Sequence, residues 1–405
     1  EDAGQTVLGY VSALNIHGGD TALLGTKQTA SLTDAVFANS TFAHVLDYDD
    51  DSLVTNNHPS SLLVPTLLSC TSKKRLDGAD VLTAYVAGLE TQYHLAHEYD
   101  LEWHVESGWH ATPTLGIFGV VAATANLLDL SPEETEHAFN IASSMPAGLR
   151  QNFGTMTKPL HVGHAARSGL TAVLLASEGF TADKRAFDEF VSLYMGGHDD
   201  TRPELELEHD WLSLYDTTYH LKKYPCCGNA HAAIAGALEL SQDYEFSTNE
   251  IHAVTILAPE FTKSDLQYPN PSSGLEAKFS MEYAVAKALV EGELVLGDFT
   301  DEQLDNEIVE DLRQRILYEG NKDIPFGDFE TTVEIELQCG TTLQTVCHEP
   351  PGTHENPLTD SEIESKFMNC ATQTVGRTAA ARALEQLLNL RNVSDVSKIC
   401  DSLRR

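Results

Sequence analysis

Apolar positions between residues 33 and about 190 follow the period of an α-helix. Residues 79–96 carry one such stripe, made of Val81, Leu82, Tyr85, Val86 and Leu89. Residues 114–128 are apolar on nearly every side, which predicts a buried helix. A further helix is predicted to begin at Ser131, where an N-cap residue is followed by a proline and two acids. This part of the chain is predicted to form a helical bundle.

The pattern changes in the second half of the chain. Residues 196–219 are polar and irregular and are expected to form an excursion or linker. Strands are predicted for 253–257 and for a hairpin of 331–337 and 343–346, where apolar and polar residues alternate. Helices are predicted for 163–178, 230–240, 281–291, 301–316 and 361–390, the last of which returns to the bundle.

The predicted fold is therefore mainly α with an α+β part. Residues 1–224 and 351–405 are expected to form an all-helical bundle domain. Residues 225–350 are expected to form a smaller inserted α+β lid domain. A chain of 405 residues is long for a single core, which independently favours two domains.

Charge narrows the range of partners. The chain has 25 Lys and Arg against 61 Asp and Glu, a net charge of −36. Nucleic acid and anionic membranes are disfavoured, because both need basic surface. So acidic a surface is typical of proteins adapted to high salt, and we expect a halophilic source. It would also repel an anionic substrate, so each cation in a binding site would carry unusual weight.

Cysteine usage and the absence of known leader patterns predict a cytoplasmic protein. The seven cysteines are irregularly spaced, and Cys226 and Cys227 are adjacent. This is not a disulfide framework, and no convincing zinc spacing is present. There is no apolar run long enough for a membrane span and no visible signal peptide. No Gly-rich phosphate loop occurs, so no nucleotide cofactor is expected.

An acidic run stands out near the N-terminus. Asp47, Asp49, Asp50 and Asp51 follow His44 closely, and His58 comes soon after. Carboxylates at such spacing raise each other's proton affinity. Two interpretations remain open at this point: a solvated, capped helix start, or a rim of acids tuned for proton transfer.

Two further motifs carry titratable groups beside apolar segments. His110 follows Gly108 and precedes the predicted buried helix, where the helix N-terminus favours a neutral imidazole. Lys158 is set among small and apolar residues, as an acid–base or carboxylate-binding lysine would be. His161 and His164 share a helix face, but no acidic third ligand is evident, so packed histidines are favoured and no metal site is expected.

Taken in order, five segments resemble the motifs of the MmgE/PrpD family: residues 44–60, 108–112, 157–166, 222–227 and 279–283. That family includes 2-methylcitrate dehydratases, cis-aconitate decarboxylases and iminodisuccinate epimerases. The resemblance covers nearly the whole chain. It implies a cleft between a helical domain and a lid, a homodimer, and no cofactor.

The resemblance also assigns roles to residues. It implies that the catalytic residues are Asp47, His58, His110 and Lys158, and that the substrate-binding residues are Asp51, Lys222, Cys227 and Tyr283. Two positions depart from the pattern. Asp51 stands where the family commonly has threonine, and Cys227 where the decarboxylases have histidine. The alternative for Tyr283 is an ordinary core aromatic residue.

The predicted activity is that of a cofactor-independent lyase acting on a small di- or tricarboxylate. Dehydration of a 2-methylcitrate-like acid is the first expectation, with His110 or Lys158 removing a proton next to a carboxylate. Lys158, Lys222 and His58 would stabilise the resulting charge, and a protonated Asp47 would assist the leaving hydroxyl. An epimerase, a decarboxylase and a helical scaffold without activity remain alternatives.

Overall fold

The computed structural model describes residues 2–15, 18–52, 54–98, 101–194 and 219–405. The predicted linker at 196–219 lies almost entirely outside these residues. The helices before this gap are α1 Asp2–Leu14, α2 Leu32–His44, α3 Pro59–Ser69, α4 Gly78–Glu98, α5 Leu101–Glu106, α6 Ala111–Leu127, α7 Pro132–Ala142, α8 Thr157–Ser177 and α9 Ala186–Tyr194. The short strands are β1 Thr21–Ala22, β2 Thr29–Ala30 and β3 Asp50–Ser52.

Helix α6 lies at the centre of the bundle. It is buried on nearly every side, as its sequence predicts, and packs against α3, α4 and α8. Gly88 and Gly119 permit the close approach of α4, because a Cβ on Gly88 would lie 2.6 Å from the Gly119 carbonyl oxygen. The predicted start of α7 is also confirmed, since Ser131 and Glu134 form a reciprocal capping box.

A second core surrounds a mixed sheet in the later part of the chain. The helices are α10 His231–Asp243, α11 Gly274–Ala277, α12 Met281–Glu291 and α13 Glu307–Arg313. The strands are β4 Tyr219–Leu221, β5 Ile251–Pro259, β6 Ile316–Asn321, β7 Thr331–Leu337 and β8 Thr342–Cys347. Strands β6, β5, β7 and β8 form the sheet in that order, and β4 pairs with β3 instead. The predicted β7–β8 hairpin is confirmed.

One predicted helix was too long. Helix α13 stops at Arg313, and Ile316 begins β6, which pairs in parallel with β5 through Val254. The helix also starts late, because the Asn306 side chain caps it by accepting bonds from the amides of Ile308 and Val309. Tertiary pairing with β5 overrides the helical pattern at the end of this segment.

The C-terminal segment is helical and returns to the first core. Its helices are α14 Asp360–Val375, α15 Arg377–Leu388 and α16 Ser397–Ser402. Val396, Ile399 and Cys400 are buried in the first core together with residues of α2 to α9. The predicted fold class, mainly α with an α+β part, is therefore confirmed. The exact domain boundaries stay a prediction.

Within the described ranges, every helix is too short or too polar to cross a lipid bilayer.

Candidate active site

The predicted site residues come from element ends that meet where the two cores touch. Asp47 lies in the turn after α2, His58 and His110 are the N-cap residues of α3 and α6, and Lys158 is in the first turn of α8. Lys222 follows β4 directly, and the pairing of β4 with β3 places it beside the acidic run. Asp47 has a φ of 52°, a strained conformation for a residue with a side chain, which is common at functional sites.

Asp47 joins two buried lysines. Its Oδ1 atom accepts hydrogen bonds from Lys158 Nζ at 2.7 Å and from Lys222 Nζ at 3.2 Å. All three residues are at most 4% exposed. Burial alone would raise the pKa of Asp47, but the two ammonium groups hold it well below its usual range. The group is therefore a carboxylate flanked by two cations.

Both lysines are fixed by further contacts. The Lys158 ammonium lies 5.0 Å from the centre of the Phe153 ring and 4.9 Å from that of Phe279. The carbonyl of Lys222 accepts a hydrogen bond from Lys366 Nζ at 2.6 Å. Burial would lower the pKa of Lys222, but Asp47 and its acidic neighbours raise it, so this lysine is charged.

Four histidines surround this ion cluster. His44 Nδ1 lies 2.7 Å from Asp49 Oδ2, and its ring centre is 4.6 Å from that of His58 and 6.4 Å from that of His110. His110 Nδ1 lies 3.1 Å from His161 Nδ1, so one of these two nitrogens carries a proton and the other accepts it.

These imidazoles are neutral near pH 7. Burial lowers the pKa of His44, and it holds those of His58 and His110 well below the usual value. The pKa of His161 is lowered to about 4 by burial and by the nearby His44 and Lys158. Asp49 differs, because His44 and His58 hold its pKa well below normal despite its burial.

Several buried polar atoms in this cluster have no hydrogen-bond partner among the described residues. They are His44 Nε2, Asp47 Oδ2, Asp49 Oδ1 and His110 Nε2. Buried polar atoms are nearly always paired, so a group of unpaired ones needs an explanation. A bound polar ligand would satisfy them, and this marks the cluster as a binding and proton-transfer site.

Asp51 and Cys227, the two positions that depart from the family pattern, lie beside the cluster. Asp51 lies directly against Gly228, because a Cβ atom added at Gly228 would be only 2.2 Å from Asp51 Oδ2. Burial raises the pKa of Asp51 to about 7, although Lys222 opposes the shift. Burial likewise raises the pKa of the Cys227 thiol well above its usual range. Near pH 7, Asp51 can donate a proton and Cys227 is not a thiolate.

Asp50, the third acid of the run, orients His58 through its backbone carbonyl. Asp50 accepts hydrogen bonds from the backbone amide of Ser60 and from the Tyr219 hydroxyl, and its own carbonyl lies 2.7 Å from His58 Nδ1. The His58 Nδ1 therefore donates, which leaves its Nε2 as the acceptor.

Tyr283 does not join the other predicted residues. It is 2% exposed in the second core, and its hydroxyl donates to the Asp298 carbonyl oxygen at 2.6 Å. The core-aromatic alternative describes this geometry. Conversely, three residues of the cluster were not named as site residues from the sequence: His44, Asp49 and His161. Their signals in the sequence were their place within the segments 44–60 and 157–166 and their proximity to Asp47 and Lys158 along the chain.

Donor atoms of His44, Asp47 and His58 lie within 4.8 Å of one another, a spacing that a metal ion could use. The charges argue against a cation here. Two lysines already bind the Asp47 carboxylate, and a metal ion would face both ammonium groups at close range. The donor set fits an anion better than a metal.

Both parts of the chain match models of one protein family. The MmgE/PrpD N-terminal domain matches residues 1–202, and the MmgE/PrpD C-terminal domain matches residues 224–392. The chain is 27% identical to the cis-aconitate decarboxylase-like protein oryM of Aspergillus oryzae, over 90% of this chain and 81% of that protein. It is 27% identical to the cis-aconitate decarboxylase of Mus musculus, over 92% and 78%. For the cis-aconitate decarboxylase of Homo sapiens the identity is 25%, over 92% and 79%.

The family models together span most of the chain, and the matched relatives are enzymes that carry out lyase chemistry. This chain belongs to the MmgE/PrpD family and is a lyase.

Proposed function

We propose that this lyase acts on a small polycarboxylate and that its reaction passes through negative charge on the carbon next to a carboxylate. One observation carries the proposal. Two buried ammonium groups, those of Lys158 and Lys222, lie beside buried nitrogen and oxygen atoms that have no partner among the described residues. Preorganised cations of this kind stabilise carboxylates and enolate-like charge far better than water does.

We propose two roles that differ from those expected from the sequence. Lys158 is a poor base, because its ammonium group donates to the ionised Asp47. Asp47 is a poor proton donor, because the two lysines keep it ionised. We therefore assign proton transfer to two histidines of the cluster, His44 and His110, whose buried Nε2 atoms have no partner among the described residues.

Decarboxylation of cis-aconitate is the first candidate reaction, because the relatives bear that name. The bond between one carboxylate and its carbon breaks, carbon dioxide leaves, and the electron pair shifts through the adjacent double bond. Lys158 and Lys222 would stabilise the resulting charge. A protonated histidine would then deliver a proton to the carbon that receives the electron pair, which balances the reaction.

Dehydration of a 2-methylcitrate-like acid is the second candidate, and Asp51 favours it. In this reaction a histidine removes the proton next to a carboxylate and the neighbouring hydroxyl leaves as water. The departing hydroxyl needs a proton, and Asp51, whose pKa is raised to about 7, can supply it near neutral pH. Cys227 also stands where the decarboxylases have histidine, which removes one group from their pattern.

The test is proton NMR of the purified protein in D2O at several KCl concentrations. Cis-aconitate, 2-methylcitrate, citrate and iminodisuccinate are supplied in turn. Itaconate with carbon dioxide supports the first candidate, and an alkene formed with loss of water supports the second. Deuterium entry into iminodisuccinate without elimination would indicate an epimerase and contradict the proposal, as would no change with any acid.

A matched pair of variants links the activity to the cluster. We expect Lys158→Met to reduce turnover at least 100-fold, because it removes one of the two buried cations beside Asp47. Lys184→Met serves as the control, because Lys184 is 67% exposed and pairs with Glu136 on the surface. Equal activity of the two variants would contradict a role for Lys158 in the reaction.

The homodimer, the cytoplasmic location and the halophilic source remain proposals that rest on the family resemblance and on composition. Light scattering of the purified protein tests the first, and a single-chain mass would contradict it.

A further inference from the structure

We propose that His44, oriented by Asp49, is the residue that transfers the proton at the substrate carbon. This inference rests on the proposed function and adds a catalytic residue to it. It also assigns Asp49 as a positioning residue, which acts on the substrate only through His44.

The first step of the argument is the orientation of the His44 ring. His44 is the last residue of α2 and is 1% exposed. Its Nδ1 lies 2.7 Å from Asp49 Oδ2, and the pKa of Asp49 is held well below normal, so that oxygen is ionised and Nδ1 donates. The ring therefore presents Nε2 as its acceptor, and Nε2 has no partner among the described residues. A carboxylate that fixes a histidine in this way is a recurring arrangement for general acid–base catalysis.

The second step compares His44 with His110, the residue that the sequence suggested as a base. The charged or polar neighbours of His110 are Lys158 and other histidines, chiefly His161 at 3.1 Å. Among the described residues, no carboxylate lies at hydrogen-bond distance from His110 to compensate a proton gained there. A proton gained by His44 would lie 2.7 Å from the Asp49 carboxylate. The imidazolium form is therefore accessible to His44 and disfavoured for His110.

The third step excludes His58 as the principal proton carrier. Its Nδ1 is bound to the Asp50 carbonyl at 2.7 Å and lies 3.8 Å from Asp49 Oδ2. A carbonyl fixes the tautomer, but it stabilises an imidazolium less than a carboxylate at hydrogen-bond distance does. His58 is thus better suited to bind the substrate than to hold its proton.

The proton balance follows from this assignment. In elimination, neutral His44 takes the proton from the carbon through Nε2, and the new positive charge is shared with Asp49. In decarboxylation the direction reverses, and His44 in its imidazolium form gives the proton to the carbon. A bound polycarboxylate adds negative charge near the ring and so favours the imidazolium form. Among the described residues, the other charged or titratable groups that face His44 are Asp47, Lys158, His58, His110 and His161.

The first experiment does not depend on turnover. The full-length protein is labelled with 15N-histidine, and the His44 signals are identified by their loss in His44→Gln. We expect a neutral ring protonated on Nδ1 between pH 6.5 and 8, and a change in the ratio of tautomers in Asp49→Asn. A ring protonated on Nε2, or spectra unchanged by Asp49→Asn, would overturn the assignment even if no substrate were known.

The second experiment uses the acid that the wild-type enzyme converts. His44→Gln should lower kcat at least 100-fold while KM changes less than about threefold, since general acid–base catalysis contributes factors of this size. Asp49→Asn should lower kcat and shift the pH dependence of kcat, and Asp49→Glu should restore part of the activity. His164→Gln is the control, because His164 is partly buried on α8 and outside the cluster.

The outcomes separate this inference from the proposed function. If the wild-type protein converts none of the acids, the proposed function fails, and the NMR result still decides the orientation of His44. If the wild-type protein is active and His44→Gln keeps kcat within threefold, the inference fails and the proposed function stands. A loss confined to His110→Gln would return the role to His110.

Discussion

The Asp47→Asn variant tests the central feature of the site, a carboxylate between two buried lysines. Asparagine has nearly the same shape, so the change removes the charge without opening a cavity. It leaves Lys158 and Lys222, which are 4% and 0% exposed, without a carboxylate at hydrogen-bond distance. Removing one partner of a buried ion pair costs about 3–5 kcal/mol, because the remaining charge stays buried.

We expect Asp47→Asn to lower the free energy of unfolding by about 3 kcal/mol, since the asparagine oxygen can still accept one hydrogen bond. The assay is urea unfolding at pH 7 and fixed KCl, followed by circular dichroism. Asp183→Asn is the control. That residue is 68% exposed in its pair with Arg185, so its substitution should leave the urea unfolding midpoint nearly unchanged.

A loss below about 1 kcal/mol for Asp47→Asn would refute this reasoning, because it would mean that the lysines are solvated or neutral in the folded protein. A double variant gives an independent check. If the lost stability comes from an unpaired ammonium, adding Lys158→Met to Asp47→Asn should recover part of it. A double variant as unstable as the sum of both single changes would contradict the assigned cause.

Three further predictions concern the whole molecule. Arg150 joins the two cores through its ion pair with Asp265. Arg150→Gln should lower the free energy of unfolding, measured in urea, by about 3 kcal/mol, whereas the exposed control Arg185→Gln should not lower it. Equal losses for the two variants would contradict this prediction. Burial holds the pKa values of His58 and His110 below 6.5, so these histidines bind protons at higher pH in the unfolded chain than in the folded protein. The free energy of unfolding should therefore be complete above pH 7 and fall as the pH drops through 6.5. His110→Gln should make this fall with pH less steep. With a net charge of −36, stability should rise between 0.1 and 3 M KCl, and full stability in dilute buffer would rule out salt adaptation.

Local patterns predicted those parts of the fold that local interactions determine. The helix start at Ser131, the helix Met281–Glu291 and the β7–β8 hairpin all occur as predicted. Each depends on contacts between residues close in the chain. The end of α13 was wrong because Ile316 pairs with Val254, a partner more than sixty positions away.

The candidate site likewise has some features that the sequence predicts and others that depend on tertiary contacts. The family motifs identified Asp47, Lys158 and Lys222, and the structure brings their charged groups together. The motifs also suggested Tyr283, whose hydroxyl is engaged within the second core. A tyrosine on an amphipathic helix has the same sequence signature whether it faces a cleft or a core.

The sequence by itself determined the family, the fold class, the acidic character and the residue types available for chemistry. Only the tertiary structure decided which histidine is paired with a carboxylate, which acid stays ionised and which polar atoms remain without a partner. The physical reason is that a pKa and a hydrogen bond depend on burial and on distances of a few ångströms. Those distances join His44 to Asp49 across five positions of the chain, but they join Asp47 to Lys158 across 111 positions.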